Sequence, residues 1–324
     1  MKKYIDFHAV KDQTAPSNIV LSLDESDKSA EAIRTGDKVS RIIITILTYI
    51  FILALAVVIV FPFYWMIITS LKQNEEIQAS TQTFFPNIVM WSNYVHVLQV
   101  FKFGVYMRNT IVVAIISTAG TLITTILAAF AFGKMRFKGK EAVFLIFLMT
   151  MMIPGEMMVI TNYITVASFG WIGSGQTIYD AYAAMIVPFW TSVFYIYLLR
   201  QNIKQIPNEL YLAAKVDGKS DWSFLWKVIV PLVSPTLISI VILKFMGTWN
   251  SYVWPQLVTA GSDSNFQLIS NGLRGSGFVD PDSGNVEYGY QMAATVLVTV
   301  PLFLLFIFFR KYIMKGVGRA GIKG

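Results

Sequence analysis

The chain has 324 residues, of which 55% are hydrophobic and only 14% charged, and it carries a formal net charge of +7. Soluble domains carry about a quarter charged residues, so this composition excludes an ordinary soluble globular protein and predicts an all-α integral membrane protein. Cysteine is absent, which removes a disulfide framework and a thiolate metal site from consideration.

Residues 1–41 are polar and mixed in charge, as in "SLDESDKSAEAIRTGDK". They cannot bury enough apolar surface to fold alone and are expected to form an N-terminal tail with no chemistry of its own. A cleaved signal peptide is not expected, because the first apolar segment is far longer than a signal core. A spanning helix needs about 20 apolar residues. Uncharged intervals of 30 residues between Arg41 and Lys72, 25 between Arg108 and Lys134, and 22 between Glu287 and Arg310 meet that length. Three further apolar segments bring the expectation to six spans, at about 42–70, 107–133, 142–164, 177–199, 228–254 and 287–309. Together they form a six-helix transmembrane domain over 42–310, followed by a C-terminal tail over 311–324.

The third span passes through Pro154-Gly155-Glu156. Helix breakers at membrane depth are tolerated where they are buried in protein or line a cavity, so this span is a candidate pore wall. Of the 26 Lys and Arg residues, 21 fall in the N-terminal tail, in "KMRFKGK", between Arg200 and Lys227, and after the last span. By the positive-inside rule these segments, and both termini, are cytoplasmic. The basic balance is therefore a topology signal, and nucleic acid is not an expected partner.

Between the fourth and fifth spans lies the polar cytoplasmic stretch "LAAKVDGKSDWSFLWKVIVPLVSP", Leu212 to Pro235. Gly218-Lys219-Ser220 looks like the end of a phosphate-binding loop. That loop needs a first glycine five residues before the second, following a strand, whereas Ala213 stands there and "PNELYLAAKV" reads as a helix with Glu209 in its first turn. The two histidines, His8 and His96, have no metal-ligand spacing, and no nucleophile motif is present. No catalytic, cofactor-binding or metal residues are assigned, and the chain is not expected to be an enzyme. Leu210, Leu212, Ala213 and Val216 can share one apolar helical face. From the residues alone this face suits either a partner groove or a lipid surface.

Charged groups inside a membrane read by default as cavity-facing. This picks out Glu156 and Lys244, with Trp249, Asn250 and Tyr252 as aromatic and amide groups just beyond Lys244. These five are the candidate lining of a translocation path, with snorkelling or mutual pairing of the two charges as the structural counterpart.

The polar stretch resembles the EAA loop of permease subunits of binding-protein-dependent ABC importers, whose pattern is E-A-A, three residues, glycine, nine residues, then I-x-L-P. Here it reads Leu212-Ala213-Ala214, Gly218 in register with Asp217 before it, and Val228-Ile229-Val230-Pro231. "WSNYVHVL", "RNTIVVA", "FAFGKMRFKGK", "MMIP", "IPNEL", Trp249-Asn250 and the closing "AGIKG" follow the same order as in the sugar-importing, maltose-type branch. The resemblance implies the type I importer permease fold in a bacterial cytoplasmic membrane, with the EAA loop over 205–231 as a coupling helix seated on a separate ATPase subunit.

It also implies the partners: a second permease subunit, two ATPase subunits holding the ATP and magnesium, and an extracytoplasmic sugar-binding protein. No cofactor is implied for this chain itself. The coupling residues it designates are Glu209, Leu212, Ala213, Ala214, Asp217 and Gly218. Leu212 stands where the family has its leading glutamate, and Asp217 has a second reading as the cap of the next helix. The tail from Gly316 implies a further ATPase contact. The implied cargo is a carbohydrate, an oligosaccharide, and Lys244 on the path would favour an acidic or uronate one. The competing class is an ATP-independent secondary carrier or channel.

Overall fold

The computed structural model describes residues 17–173, 175–275, 278–279 and 284–318, with side chains over 40–173, 175–274, 278–279 and 284–310. The chain divides into two units, 1–65 and 66–324. The first consists, as far as described, of most of helix α1 (Ser17–Ser70), which enters the first apolar segment from Ser17 without a break. Its large apolar side chains from Ile42 to Ile59 are exposed over that whole stretch, as a helix in contact with lipid or a second subunit requires.

The second unit continues with α2 (Asn74–Gln78), α3 (Ser92–Val100) and the long α4 (Phe103–Gly133). It then runs through α5 (Lys140–Thr150), α6 (Val159–Ser168), α7 (Ile178–Ile186), α8 (Val193–Gln205), α9 (Asn208–Val216), α10 (Asp221–Phe224), α11 (Val230–Leu232) and α12 (Ser234–Trp249). Helices α13 (Val253–Val258), α14 (Ile269–Gly275) and α15 (Tyr288–Gly318) complete it. Among the described residues, Ser40–Ser70, Phe103–Gly133 and Tyr288–Arg310 are each long and apolar enough to cross a membrane. Three bent pairs pass the same test together: Lys140–Thr150 with Gly155–Ser168 at 87°, Ile178–Phe189 with Val193–Gln205 at 48°, and Asp221–Leu232 with Ser234–Trp249 at 78°.

The break in the third apolar segment falls at Pro154, as its sequence predicts. The other two bends correct the expectation of continuous helices over 177–199 and 228–254. Pro188 opens a short 3-10 turn over Val187–Phe189, and the chain is extended at Ser192 before α8 begins. In the later pair a π turn over Leu225–Ile229 and two prolines, Pro231 and Pro235, interrupt the backbone ladder, and Val233 leaves helical geometry.

The backbone oxygens freed at the first of these bends are met by side chains, which is the condition for a broken helix inside a membrane. Thr121 donates to Phe189 O at 3.1 Å, Thr124 to Trp190 O at 2.6 Å, and Lys244 Nζ to Phe189 O at 3.2 Å. α4 is the post around which the unit is built, packing along α8 and α12. Two glycines permit the close approaches. A Cβ on Gly120 would lie 2.3 Å from Trp190 Nε1, and one on Gly133 would lie 2.8 Å from Ile203 Cγ2.

Three apolar clusters hold the unit. One joins Phe130, Phe132, Phe144, Leu199, Ile203, Phe224 and Ile229 at the end of α4 that carries the basic turn. A second surrounds Met185 and Trp254, and a third surrounds Tyr106, Trp249 and Ile269. At the opposite end of α4, Asn109 Nδ2 donates to Asn265 O at 2.7 Å and Gln267 O at 3.0 Å, and Thr110 Oγ1 accepts from Ile269 N at 2.9 Å. These bonds fasten the segment before α14 to the post. His96 lies on α3, stacked on Tyr290 with centroids 4.2 Å apart.

Candidate functional site

Helix α9 ends in a Schellman turn. Gly218 N donates to Lys215 O at 3.1 Å and Lys219 N to Ala214 O at 2.9 Å, with Gly218 at φ +69°. That backbone geometry is open to glycine at little cost and strained for other residues. The cap of the following helix is Ser220, whose hydroxyl accepts from Ser223 N at 3.2 Å. The capping role read for Asp217 is therefore corrected: Asp217 closes α9 instead of opening α10. A serine at the true N-cap leaves its own acceptor within reach of the first-turn amides, and Asp217 is three residues too early.

Tyr211 and Ala214 turn inward onto the first cluster, while Leu210, Leu212, Ala213 and Val216 face outward, Val216 with 88% of its surface free. Glu209, Asp217 and Gly218 are exposed as well. α9 thus presents an unpartnered apolar strip with acids at either end. The elbow is internally tied: Lys215 Nζ lies 2.8 Å from Asp221 Oδ1, and Tyr211 Oη donates to the same oxygen at 2.7 Å. The hydrogen bond to Asp221 raises the Lys215 ammonium above its ordinary pKa, and burial raises the Tyr211 phenol.

Lys134 fixes the elbow to the post, and Arg200 fixes α8 to it. Lys134, 6% exposed just beyond α4, donates to Ile206 O and, at 2.9 Å, to Asn208 Oδ1, the first residue of α9. Burial pulls the Lys134 ammonium below its ordinary pKa, and the Glu209 carboxylate opposes that shift. Arg200, 3% exposed near the end of α8, donates from Nε to Phe132 O at 3.0 Å and from Nη2 to Glu141 at 2.7 Å, and stacks 3.8 Å above the Phe144 ring. Sequence reasoning counted both residues only as topology charges. The one available hint was that Lys134 directly follows the last uncharged residue of a span.

The five candidate path residues do not form one site. Lys244 lines a cavity of about 340 Å³ with Ser117, Ser192, Tyr195, Thr248 and Ser251, between α4, α8 and α12. Trp249, Asn250 and Tyr252 line a different cavity of about 280 Å³, with Ser270 and Arg274 and with Thr295 and Thr299 of α15. Glu156 is exposed in the 3-10 turn Gly155–Met158 and borders neither cavity. Lys244 directs its hydrogen bond to Phe189 O and sits 5.8 Å from that ring's centroid. Among the described residues, no ion pair joins Lys244 to Glu156. Arg274, 4.5 Å from the centre of the Tyr252 ring, was not singled out in the sequence. The ending "AGIKG" lies outside the described residues, as does His8.

Residues 121–319 match the family described as "Binding-protein-dependent transport system inner membrane component". The chain is 29% identical to the trehalose/maltose transport system permease protein MalG of Thermococcus litoralis over 86% of this chain and 97% of that one. It is 30% identical to the lactose transport system permease protein LacG of Rhizobium radiobacter over 80% of this chain and 89% of that one. Its fold is similar to a chain in the crystal structure of a bacterial ABC transporter involved in the import of the acidic polysaccharide alginate. That likeness has a TM-score of 0.72 at 21% identity and covers 83% of this chain and 96% of that one. No groups of His, Cys, Asp or Glu arranged to hold a metal occur among the described residues.

Proposed function

Because the chain belongs to the family of binding-protein-dependent transport system inner membrane components, we propose that it is the membrane-spanning permease subunit of an ABC importer that carries a carbohydrate inward. Its cargo is an oligosaccharide, in keeping with what the trehalose/maltose and lactose permeases are named for. The finer reading is an acidic oligosaccharide, supported by a cation in the wall of each cavity, Lys244 and Arg274.

The observation that carries the reading is the outward apolar strip of α9 on an elbow tied by Lys134 to the end of α4. An exposed Leu210–Leu212–Val216 strip that is held rigidly suits a helix-in-groove contact. Its partner is an ATPase subunit, one of two that hold ATP and magnesium. Closure of the ATPase pair pushes α9, and the Lys134 tether carries the displacement to α4. A second permease subunit completes the membrane passage, and an extracytoplasmic binding protein delivers the sugar. Both termini and the elbow face the cytoplasm of a bacterial inner membrane, in line with the clustering of Lys and Arg in those segments. With Leu212 in place of the family's glutamate, the contact is apolar at that point, and Glu209 and Asp217 supply its charges.

The test is copurification with the ATPase subunits from membranes. Leu212→Asp combined with Val216→Asp should abolish it while the chain remains inserted, because both side chains face outward and neither belongs to an apolar cluster. Undiminished copurification would refute the docking role of α9.

A further inference from the structure

Between Glu76 and Lys102 lie 25 residues with no Asp, Glu, Lys or Arg, as many as in the uncharged interval of α4, yet they do not form a span. α3 covers nine of them, about half of what a crossing needs, and Pro86 and a bent, non-helical stretch precede it. One face of α3 packs on the protein: Asn93 and Val97 are buried, and Val97 joins Phe101 in the third apolar cluster. The other face is apolar as well. Trp91, Val95 and Leu98 follow one another at helical spacing and are 67%, 56% and 54% exposed, and Ile88 and Val89 just before them are exposed too. A helix apolar on both faces is at home only where something other than water covers it.

The bonds of α3 fix its level in the fold. Asn93 Nδ2 donates to Ser70 O at 2.9 Å and to Lys72 O at 3.1 Å, and Ser70 Oγ pairs with Tyr94 Oη at 2.7 Å, where α1 ends. His96 stacks on Tyr290, which stands about 3 Å along α15 from Tyr288, the first residue of that apolar span. A Cβ on Gly289 would lie 3.0 Å from Asn93 Nδ2, so the two helices meet closely there. The span of α4 opens at Phe103, just after α3 ends at Val100. The spans Ser40–Ser70, Phe103–Gly133 and Tyr288–Arg310 thus each have one end at the level of α3, and for α4 it is the end away from the elbow.

We infer that α3 is an interfacial helix, whose outward face of Trp91, Val95 and Leu98, with Ile88 and Val89, lies in the boundary between headgroups and acyl chains of the leaflet opposite the elbow and is covered by lipid. Where spans end, a bilayer passes from hydrocarbon to headgroups, and there Trp and Tyr are favoured; Tyr288, 42% exposed at the start of α15, stands at the same level as Trp91. An amphipathic helix in that plane needs an apolar face towards the chains and polar groups beside it. Here the exposed polar neighbours are Asn87, Ser92 and Gln99, all uncharged. Headgroups and interfacial water satisfy such groups, whereas the packed centre of a subunit interface is more apolar. The inference concerns a surface away from the elbow and holds whatever the cargo.

The chain lacks cysteine, so one introduced cysteine carries one nitroxide. The full chain, with the subunits that accompany it from membranes and with their reactive cysteines replaced, is reconstituted in phosphatidylcholine liposomes. Labels at Val95→Cys and Leu98→Cys should be mobile. Their ratio of collisions with oxygen to collisions with a water-soluble nickel chelate should stand severalfold above that of Glu75→Cys, on the exposed first turn of α2. Trp91 reports without any label: the emission lost in Trp91→Phe should be quenched by phosphatidylcholine brominated near the headgroup end of its chains and spared by iodide.

A collision ratio at positions 95 and 98 as low as at position 75 would show that water meets this face and would overturn the inference. Immobile labels shielded from both reagents would assign the face to a protein partner, a second subunit or a soluble binding protein, and overturn it too. So would Trp91 emission indifferent to brominated lipid. Where a cysteine variant fails to assemble, the Trp91 measurement decides alone, because Trp91→Phe keeps an aromatic ring at an exposed position.

Discussion

Lys134 Nζ lies 2.9 Å from Asn208 Oδ1, so the last turn of the central helix holds the first residue of the elbow helix directly. The same ammonium donates to Ile206 O, which makes it a two-point clamp across 72 and 74 residues of sequence. Lys134→Met keeps the stem and deletes the clamp, leaving the two acceptors to find other donors. We expect a loss of stability of about 1–3 kcal/mol and a larger fall in sugar moved per ATP hydrolysed. Lys134→Arg should retain most coupling. Parallel assays of ATP hydrolysis and uptake in liposomes would check both, and unchanged stoichiometry in Lys134→Met would count against a mechanical tether.

The Arg200–Glu141 pair is lopsided. The guanidinium is buried, while the carboxylate side chain is 64% exposed. Deleting the buried partner removes the bond to Phe132 O and the stacking on Phe144, whereas deleting the exposed one leaves those contacts in place. Arg200→Leu is therefore expected to destabilise by about 1–3 kcal/mol, and Glu141→Ala by clearly less, since an exposed carboxylate is screened by water. Midpoints of thermal unfolding in detergent would rank the two; equal shifts would mean that the ion pair, and not the buried bonds, carries the energy.

Gly120 has no room for a side chain. Its added methyl would meet the Trp190 indole at 2.3 Å, at the bend between Val187–Phe189 and α8. Gly120→Ala should cost about 1–3 kcal/mol through overpacking. The double variant with Trp190→Leu should recover part of that loss, and thermal midpoints of the single and double variants would show whether the clash is the cause.

The turn at Asp263 is expected to be acid-labile. Its carboxylate accepts from Asn265 N at 2.9 Å, and this backbone hydrogen bond, with a further contribution from the Asn265 side chain and Lys102, holds its pKa below the ordinary 3.8. A depressed carboxylate pKa stabilises the fold fully above the unfolded value and loses that contribution as pH falls through the folded value. Pepsin cleavage within residues 259–268 should therefore accelerate below about pH 3.8 in wild type relative to Asp263→Asn, which does not titrate there. A ratio that stays flat across pH 2 to 5 would argue against this linkage.

The helical membrane class, the glycine break after α9 and the outward face of that helix were legible in the sequence because each follows from a local pattern: charge-free length, residue type at a turn, and spacing around a helix. The bend at Trp190–Ser192 was not legible, since the residues that meet its freed oxygens are Thr121, Thr124 and Lys244, distant in the chain. Grouping Lys244 with Trp249 and Tyr252 followed their closeness in sequence, but side chains on different faces of α12 and its end enter different cavities. Ser220 displaced Asp217 as the cap because the register of α10 depends on the turn before it, and α10 itself is only four residues long.

The central claim is that the outward face of α9 bears on an ATPase subunit. Val216, the most exposed large apolar side chain in that strip, is the place to ask. With benzoylphenylalanine installed at position 216, irradiation of membranes containing the assembled importer should join this chain to an ATPase subunit, and the yield should change when ATP is added. Crosslinks formed only to lipid, with or without nucleotide, would contradict the claim.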